Sequence, residues 1–362
     1  MLLLSNQDCQ RVLNMAACIE ALEAAYGELA RGDAAYRGRI DFYVPVSDGK
    51  SYFRWSSAEG ASRSLHRFAI RMKLDITSWP EGGTEEKYCM KPGTFCGLIL
   101  LGDTNTAEPL AILQDGYLQH MRAGAAAAIG VKYLARENAT TVGMIGSGGM
   151  AREYLRAFCH VRNIKSAKVY SPNVEHRKAY AREMSRDLGI TVMPVDTAEE
   201  AARGCDIFST CTNSVDPVMS ASFLEPGMHF TDLNSYEVDP EVFNRCDVII
   251  KLGSASIDPK ASGGFTFHGE MAGVVIGTPD ELARIPGSTK KAKKVFLYPH
   301  LVDLIAGRVK GRTDDKQITC FLNSGTQGLQ FVSLAAKAFD LARAQGLGRE
   351  LPKEWFLQDI RD

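Results

Sequence analysis

The chain has 362 residues, more than a single hydrophobic core usually organises, so two domains are expected. Hydrophobic residues make up 45% of it and charged residues 23%, as in an ordinary globular protein with a sizeable core. The formal net charge is -1, so no global basic field favours nucleic acid or anionic lipid, and neither partner is predicted.

Signals for export, membrane insertion and metal binding are weak. Residues 1–6 lack a positively charged start, so no secretion signal is expected. The longest stretch without charge, residues 317–336, carries polar side chains in its middle, which argues against a membrane span. The nine cysteines include no Cys-x-x-Cys pair, so we expect reduced thiols in a cytoplasmic protein, with no disulfide framework and no metal site.

The first third of the chain mixes helical and extended patterns. Amphipathic periodicity predicts a helix over Met15–Arg31, and a second predicted helix, Asp115–Leu134, leads into the middle of the chain. The strands predicted between them are Ile40–Val46, Ser51–Ser56, Phe68–Ile76, Gly97–Leu101 and Leu110–Gln114. This order favours an α+β layer with antiparallel strand pairing.

The middle third alternates between short apolar runs and helical segments. The predicted strands are Thr141–Ile145, Lys168–Tyr170, Thr191–Val195, Ile207–Cys211, His229–Leu233 and Val248–Leu252. Alternation at this spacing is typical of βαβ units, so the predicted fold class is α/β with a Rossmann-type doubly wound parallel sheet. After Gly325 the chain is predicted to be helical through Ala344, with no strand following, and to pack on the open amino-terminal sheet.

A glycine-rich turn directly follows the strand Thr141–Ile145 and opens the next helix. It reads Gly146-Ser147-Gly148-Gly149-Met150-Ala151, which is the G-x-G-x-x-A spacing of dinucleotide-binding domains. Gly146 permits the tight turn, Gly148 lets the backbone approach a pyrophosphate, and Ala151 allows close helix packing. Glycine turns are common, but the surrounding strands favour binding of a nicotinamide dinucleotide at the amino end of this helix.

The end of the second strand indicates which dinucleotide is bound. An Asp or Glu at this place would accept a hydrogen bond from the ribose 2′-hydroxyl of NAD. This chain instead has Ser171, Asn173 and Arg177, whose hydroxyl, amide and guanidinium groups suit a 2′-phosphate. NADP is therefore favoured, with NAD as the alternative. Arg177 is also open to interpretation as an exposed helix residue.

Three further segments outside the glycine turn combine arginines with small residues or short apolar runs. They are Asp115–Ala125, which contains Arg122, Gly311-Arg312 with Ile318–Phe321 and Ser324-Gly325, and Arg37–Arg39 before Tyr43–Pro45. Together with the glycine turn, they resemble the ornithine cyclodeaminase/μ-crystallin family over most of the chain.

The resemblance implies an architecture of two domains. Residues 1–125 with 320–362 would form a substrate-binding and dimerisation domain, and residues 126–319 the dinucleotide-binding domain. It implies a homodimer built through the amino-terminal sheet and a substrate cleft between the domains. It also implies chemistry on amino acids or their imines: imine reduction, amino-acid dehydrogenation or cyclodeamination.

The resemblance also implies where the substrate carboxylate binds. The family holds this group with an Arg, a Lys and a second Arg, which by position fall on Arg39, Lys73 and Arg122. Planar guanidinium groups suit this task because they grip a carboxylate at two points. Arg37 competes with Arg39, and Arg71 competes with Lys73 on the same strand face. A surface salt bridge is the alternative for each of them.

One loop departs from the family pattern. Cyclodeaminases carry an acid/base Asp in a glycine-rich loop, whereas the matching place in this chain, within residues 231–239, holds Tyr236 or Glu237. Glu237 and Asp239 resemble the acidic pair that opens the family's next helix, where such groups cap free amides. Ring-closing deamination is therefore disfavoured.

The favoured function is an NAD(P)-dependent oxidoreductase that acts on CH–NH or CH–NH2 groups of a small carboxylated imine, keto acid or amino acid. The nicotinamide performs the hydride chemistry, and the protein must orient the substrate and supply a proton. Lys73 is the first choice for carboxylate binding or proton delivery, and Tyr236 is the second candidate acid. The alternatives are a cyclodeaminase-type lyase that uses NAD catalytically and a non-catalytic, crystallin-like binding protein.

Overall fold

The computed structural model describes residues 1–80, 84–234, 237–253, 265–267, 271–275, 278, 280–281, 284 and 298–360. The helices are α1 Asn6–Val12, α2 Met15–Arg31, α3 Gly116–Leu134, α4 Gly149–Val161, α5 Val174–Leu188, α6 Ala198–Ala202, α7 Glu241–Asn244, α8 Leu301–Ile305 and α9 Gln327–Ala344. The strands are β1 Leu2–Leu4, β2 Ala34–Tyr36, β3 Ile40–Pro45, β4 Tyr52–Ser62, β5 Arg67–Ser78, β6 Glu86–Tyr88, β7 Cys96–Asp103, β8 Pro109–Gln114, β9 Thr141–Ile145, β10 Ser166–Tyr170, β11 Thr191–Pro194, β12 Ile207–Thr210, β13 His229–Thr231, β14 Val248–Lys251, β15 Phe265–Phe267, β16 Met271–Val275, β17 Thr319–Leu322 and β18 Arg349–Glu350.

The first sheet has mixed pairing and, within the described ranges, eleven strands. Its main path runs β15-β16-β3-β4-β5-β7-β8-β1-β18, with β2 beside β4 and β6 beside β5. The neighbours from β3 to β8 are antiparallel, as predicted. Helix α9 lies directly on β4, because a Cβ added at Gly60 would come within 2.4 Å of the Gly328 backbone. The predicted packing of the carboxyl-terminal helix on this sheet is therefore confirmed.

The second sheet is parallel throughout and runs β11-β10-β9-β12-β13-β17-β14. The chain adds β10 and β11 on one side of β9. It then returns and adds β12 and the later strands on the other side of β9. In sheets of this kind ligands bind outside the carboxyl ends of the strands at the point of reversal. The predicted Rossmann-type doubly wound sheet is confirmed, and its switch point lies between β9 and β12.

The sequence patterns miss several short strands. No strand is predicted after α9, which is wrong, because β18 pairs antiparallel with β1; its two residues are too short to show a period of two. Strand β17 inserts between β13 and β14 and spans residue 320, while β15 and β16 join the first sheet beside β3. The division of the chain at residues 125 and 320 stays a prediction. Strand β17 favours a boundary after Leu322, whereas β15 and β16 lie within the range assigned to the dinucleotide-binding domain but pair with the first sheet.

Helix α3 packs between the two halves of the molecule. Ala125 and Ala128 belong to the core beneath the first sheet, whereas Ala123 and Ala127 belong to the core beside the parallel sheet. Side chains this small let α3 approach both layers closely. Because Arg122 precedes Ala123, the helix holds that guanidinium at the junction of the halves.

Three further observations concern the thiols, the helix lengths and the clustering of metal-ligating side chains. All nine cysteines are free thiols. Among the helices of the described ranges, none is both long enough and apolar enough to cross a membrane. In the same part of the chain, no three His, Cys, Asp or Glu side chains converge as metal ligands do.

Candidate active site

A cavity of about 650 Å³ lies between the first sheet and the carboxyl ends of the parallel strands. One wall consists of residues from β4, β5 and β6 with the segment before β3, and the opposite wall consists of the loops after β12, β13 and β17. The amino end of α3, Met150 of α4, two residues of α1 and Phe95 also line the cavity. This position, at the switch point of the parallel sheet, makes the cavity the candidate active site.

The glycine turn adjoins the cavity through Met150. Gly146 has φ 106°, and a Cβ added there would lie 2.1 Å from the Cys211 carbonyl oxygen, so glycine alone fits. Gly148 is exposed, and an added Cβ would meet no protein atom within 4 Å. Helix α4 begins at Gly149 without a side-chain cap, so its first amides remain available to an anion. Of the six predicted residues, Gly148 and Gly149 are exposed at the start of α4, whereas Gly146 and Ala151 are buried; their binding of a dinucleotide stays a prediction.

Two side chains from outside positions 146–151, Arg152 and His120, contact the glycine turn. Arg152 donates from Nη1 to the Ser147 carbonyl at 2.5 Å and pairs with Glu183 at 2.8 Å. The His120 ring lies against Gly149, where an added Cβ would be 2.8 Å from its Cε1 atom. Burial lowers the pKa of His120 below its usual value, so the ring is neutral at pH 7. Sequence reasoning did not select His120 for the site, although it lines the cavity.

The residues after β10 contact one another. Ser171 is buried, and Asn173 caps α5 by accepting a hydrogen bond from the His176 amide at 3.0 Å. Arg177 is 7% exposed, donates to the Ser171 carbonyl at 3.0 Å and pairs with Asp196. The interpretation of Arg177 as an exposed helix residue is therefore wrong. A 2′-phosphate would have to share this guanidinium with Asp196, and the choice between NADP and NAD stays a prediction.

Arg39 and Arg122 both line the cavity, but their charges have different surroundings. Arg39 makes a two-point ion pair with Asp41, with contacts of 2.7 and 2.9 Å. Arg122 is buried, donates to Gln330 Oε1 at 3.1 Å and lies over the Phe331 ring at 5.7 Å. Within the described residues, no carboxylate lies at ion-pair distance from Arg122, and its Nε has no hydrogen-bond partner. A buried cation in this state is costly, so an anionic ligand is expected beside it.

Burial also changes the pKa of Lys73, a residue of β5 that lines the same cavity. Its Nζ lies 3.1 Å from Asp75 Oδ1, and its side chain is 22% exposed. Burial lowers the pKa of Lys73 to about 8; Asp75 opposes the shift, and Lys87 and Arg54 add to it. Lys73 therefore carries a proton at neutral pH and releases it just above, as a group that transfers protons must.

The two competing cations each have a carboxylate of their own. Arg37 pairs with Glu59 through contacts of 2.7 and 2.8 Å, and its side chain is 56% exposed. Arg71 is buried and donates to Asp115 from Nε at 2.7 Å and from Nη2 at 2.6 Å. Gly97 leaves room for this pair, since an added Cβ would lie 2.0 Å from Asp115 Oδ1. Arg37 and Arg71 are thus neutralised one to one.

Sequence reasoning missed three charged residues of the cavity: Arg54, Glu85 and Lys87. Arg54 contacts Asp75 at 2.5 Å and Glu85 at 3.1 Å, and Lys87 also pairs with Glu85. The alternation along β4 places Arg54 on one face with Ser56, which is visible in the sequence. Its position opposite Asp75 depends on the register of β4 and β5, which neither strand reveals alone.

The loop after β13 holds the predicted acid/base positions. Tyr236 lies outside the described residues, so its role stays a prediction. Glu237 is buried and accepts hydrogen bonds from the Thr212 amide at 2.6 Å and the Asn234 amide at 3.1 Å. Burial raises the pKa of Glu237 to about 7. The expectation that Glu237 caps the next helix is wrong, because it joins the loops after β12 and β13; Asp239 accepts from the first amide of α7.

The parallel sheet with its glycine turn, and the cation-lined cavity beside it, define a dinucleotide-binding protein with a site for a small anionic ligand. The chain belongs to the ornithine cyclodeaminase/mu-crystallin family, whose family model matches residues 1–344. The resemblance inferred from the glycine turn, the Arg122 helix and the carboxyl-terminal segments is confirmed.

Two relatives match nearly the whole chain. The delta(1)-pyrroline-2-carboxylate reductase of Bacillus cereus is 27% identical over 97% of this chain and 99% of its own length. The alanine dehydrogenase of Archaeoglobus fulgidus is 26% identical over 97% of this chain and 98% of its own. These names fit the imine-reductase or amino-acid-dehydrogenase type expected from the sequence.

Two solved structures share the architecture. The delta(1)-pyrroline-2-carboxylate reductase of Thermococcus litoralis, in complex with NADH and L-proline, has a TM-score of 0.74 and 27% identity, covering 97% of this chain and 100% of that chain. An archaeal alanine dehydrogenase dimer with bound NAD has a TM-score of 0.73 and 24% identity, covering 97% and 99%. The second likeness concerns the fold alone.

Proposed function

We propose that this protein is an NAD(P)-dependent oxidoreductase that acts on the CH–NH or CH–NH2 group of a small carboxylated imine, keto acid or amino acid. The observation that carries the proposal is Arg122, a buried guanidinium without an acidic partner among the described residues, in a cavity that adjoins the glycine turn. The pyrroline-2-carboxylate reductase and alanine dehydrogenase relatives support it, since both act at a nitrogen-bearing carbon beside a carboxylate.

The glycine turn fits a dinucleotide. The exposed Gly148 and the uncapped amides of α4 would receive the pyrophosphate, with Ser147, Gly149 and Met150 around it. Ser171, Asn173 and Arg177 would face the adenosine ribose, with NADP or NAD as the dinucleotide. When bound, the nicotinamide donates or accepts the hydride. All other tasks fall to side chains of the cavity.

Three cations are proposed to hold the substrate carboxylate. Arg122 contributes a positive charge that no carboxylate of the described chain offsets, and Arg39 and Lys73 contribute donors beside it. Lys73 Nζ is also proposed to move the proton at the substrate nitrogen, because a pKa of about 8 lies close to neutral pH. Tyr236 is the second candidate for this proton transfer.

A homodimer is proposed through the face of the first sheet that lies opposite the cavity. Along β5 this face carries Phe68, Ile70, Met72 and Leu74, which alternate with the charged cavity residues. Phe68 remains 41% exposed, and Phe42 of β3 is 40% exposed. A second copy would cover this apolar surface, and Met72→Glu is expected to give monomers by light scattering. A cytoplasmic location is proposed from the free thiols.

The function is tested with purified protein, NADPH or NADH, and a panel of cyclic imines and of α-keto acids with ammonium salts. We expect loss of the reduced-nicotinamide absorbance with at least one substrate, and a much lower kcat/KM for Arg122→Gln. Lys91→Gln, at an exposed turn lysine outside the cavity, is the matched control. Unchanged absorbance across the whole panel would sink the proposal. Release of ammonia without net change of the nicotinamide would indicate the lyase alternative instead.

A further inference from the structure

Among the described residues, the cations that line the cavity outnumber the carboxylates that contact them. Three cations are neutralised one to one by carboxylates; the pairs are Arg37–Glu59, Arg39–Asp41 and Arg71–Asp115. These pairs contribute no net charge to the site. In the part of the chain that the structure describes, the remaining charged side chains that line the cavity are Arg54, Lys73, Lys87, Glu85 and Arg122.

Three of the remaining cations share two carboxylates. Asp75 contacts both Arg54 and Lys73, and Glu85 contacts both Arg54 and Lys87. We call these five residues the Arg54 cluster, and its formal charge is one positive unit. Arg54 is 3% exposed, lines the cavity, and has an Nε without a hydrogen-bond partner. The cluster therefore has one more cation than carboxylates, and one donor of its buried guanidinium is not used within the described residues.

Arg122, on α3, adds a second positive charge that no carboxylate of the described residues offsets. It too is buried, and its Nε also lacks a hydrogen-bond partner. Arg122 of α3 contacts Gln330 and the Phe331 ring of α9, whereas the Arg54 cluster is held together by ion pairs between β4, β5 and the residues at the start of β6. Arg122 and the Arg54 cluster are thus separate centres of positive charge in the lining of the cavity.

A single substrate carboxylate offsets only one of these two positive charges. The total of two positive charges is the same whether Lys73 is counted with Arg122 or with the Arg54 cluster. The second charge is placed at the cluster because the Lys73 ammonium forms its ion pair with Asp75. His120 does not alter the sum, since burial keeps it neutral at pH 7. The pyrophosphate of the dinucleotide is directed to the amides of α4, on the opposite side of the cavity from β4 and β6. A protonated imine would add a further positive charge.

We infer that the substrate carries two acidic groups, a carboxylate beside the reacting carbon that binds at Arg122 and a second on its side chain that binds at the Arg54 cluster. The substrate class is a small imino, keto or amino dicarboxylic acid. The inference rests on the proposed function for the reaction, but the two anion positions follow from the charges of the cavity alone. Guanidinium and ammonium donors with unsatisfied hydrogen-bonding capacity are suited to both.

Binding is tested without turnover, by calorimetry on the protein with NAD⁺ present, using succinate and butyrate as probes. Succinate has two carboxylates and butyrate one, at equal carbon number. We expect succinate to bind at least ~10-fold more tightly, in line with a charge-assisted contact to a buried cation. Equal affinities for the two probes would overturn the inference.

The Arg54 cluster is tested with Lys87→Met, since Lys87 is its most exposed cation at 32% and its loss leaves two cations for two carboxylates. Succinate affinity should fall about tenfold while butyrate affinity stays constant. Lys91→Met, on the neighbouring exposed turn, removes the same charge outside the cavity and should change neither. A Lys87→Met protein that keeps its succinate affinity would count against the inference.

Turnover separates this inference from the proposed function. NADH oxidation is measured with oxaloacetate plus ammonium and with pyruvate plus ammonium, and the first pair should give the higher kcat/KM. Oxidation with pyruvate but not with oxaloacetate leaves the function standing and overturns the dicarboxylate inference. Tight succinate binding without oxidation of NADH by any substrate supports the two anion positions and removes the proposed reaction.

Discussion

The glycine turn and the charged face of β5 lie on opposite sides of one cavity and present different groups to an anion. The turn offers backbone amides at the start of α4, and its Gly148 has no side chain to obstruct a ligand. The face of β5 offers the guanidinium of Arg71 and the ammonium of Lys73, each held by a buried carboxylate. A site made of amides depends on steric fit, whereas a site made of side chains depends on charge and pH.

Breaking the turn should have the largest effect. Gly146→Val is expected to abolish NADH binding and to lower stability, because the new Cβ would lie 2.1 Å from the Cys211 carbonyl in a backbone of positive φ. Gly148→Ala is the matched variant: it has room in the fold and φ −80°, so it should fold normally. Its NADH affinity, measured by fluorescence titration, should fall by at least ~10-fold. Unchanged affinity in Gly148→Ala would mean that the pyrophosphate does not approach this residue.

Removing the unpaired cation should lower activity but not stability. Arg122→Gln is expected to reduce kcat/KM by about 100-fold or more, from loss of a buried charge-assisted contact. Its melting temperature should not fall, because the wild-type guanidinium is buried without a carboxylate. Arg39→Gln should instead destabilise the fold by about 3 kcal/mol, since it leaves the buried Asp41 unpaired. Equal loss of melting temperature in both variants would contradict this distinction.

The pH dependence of activity should follow Lys73. Its protonated form binds the carboxylate and donates the proton, so kcat/KM should be constant below pH 8 and fall above it, given a pKa of about 8. Lys73→Arg stays protonated, so any activity that remains should lack the decline above pH 8. A decline at the same pH in Lys73→Arg would assign it to another group.

The smallest effect is expected at Glu237, which contacts both loops of the parallel sheet. Its folded pKa of about 7 lies above its ordinary value because of burial, so folding takes up a proton between about pH 4.5 and 7. Its contribution to stability is therefore full below pH 4.5 and is lost as the pH rises through 7. Glu237→Gln cannot ionise, so relative to wild type it should gain about 1–3 kcal/mol between pH 5 and pH 8. Urea unfolding of both proteins at several pH values measures this difference. If the free energies of unfolding of wild type and Glu237→Gln changed equally with pH, the prediction would be refuted.

The two regions also differ in what their sequences disclose. Residues 146–151 are contiguous, and their spacing is enough to locate the turn, just as periodicity locates α2 at its observed ends. Arg54 and Lys87 belong to different strands, and they meet at Glu85 only because β4 and β6 both pair with β5. Such contacts depend on register, which alternation within one strand does not specify. The two-residue strand β18 lies below the length at which a pattern can be recognised.

The contact between Gly60 and Gly328 limits the substrate. There the backbones of β4 and α9 touch, so nothing fits between helix and sheet beyond Gln327. On β5 this contact lies opposite Ala69, and the cavity residues Arg71 and Lys73 follow it in the direction of the Lys87 pairing at Thr77. The contact between α9 and β4 therefore closes one end of the cavity. Homologous ligands of increasing length must extend toward Lys87, and discrimination among them is decided at that far end.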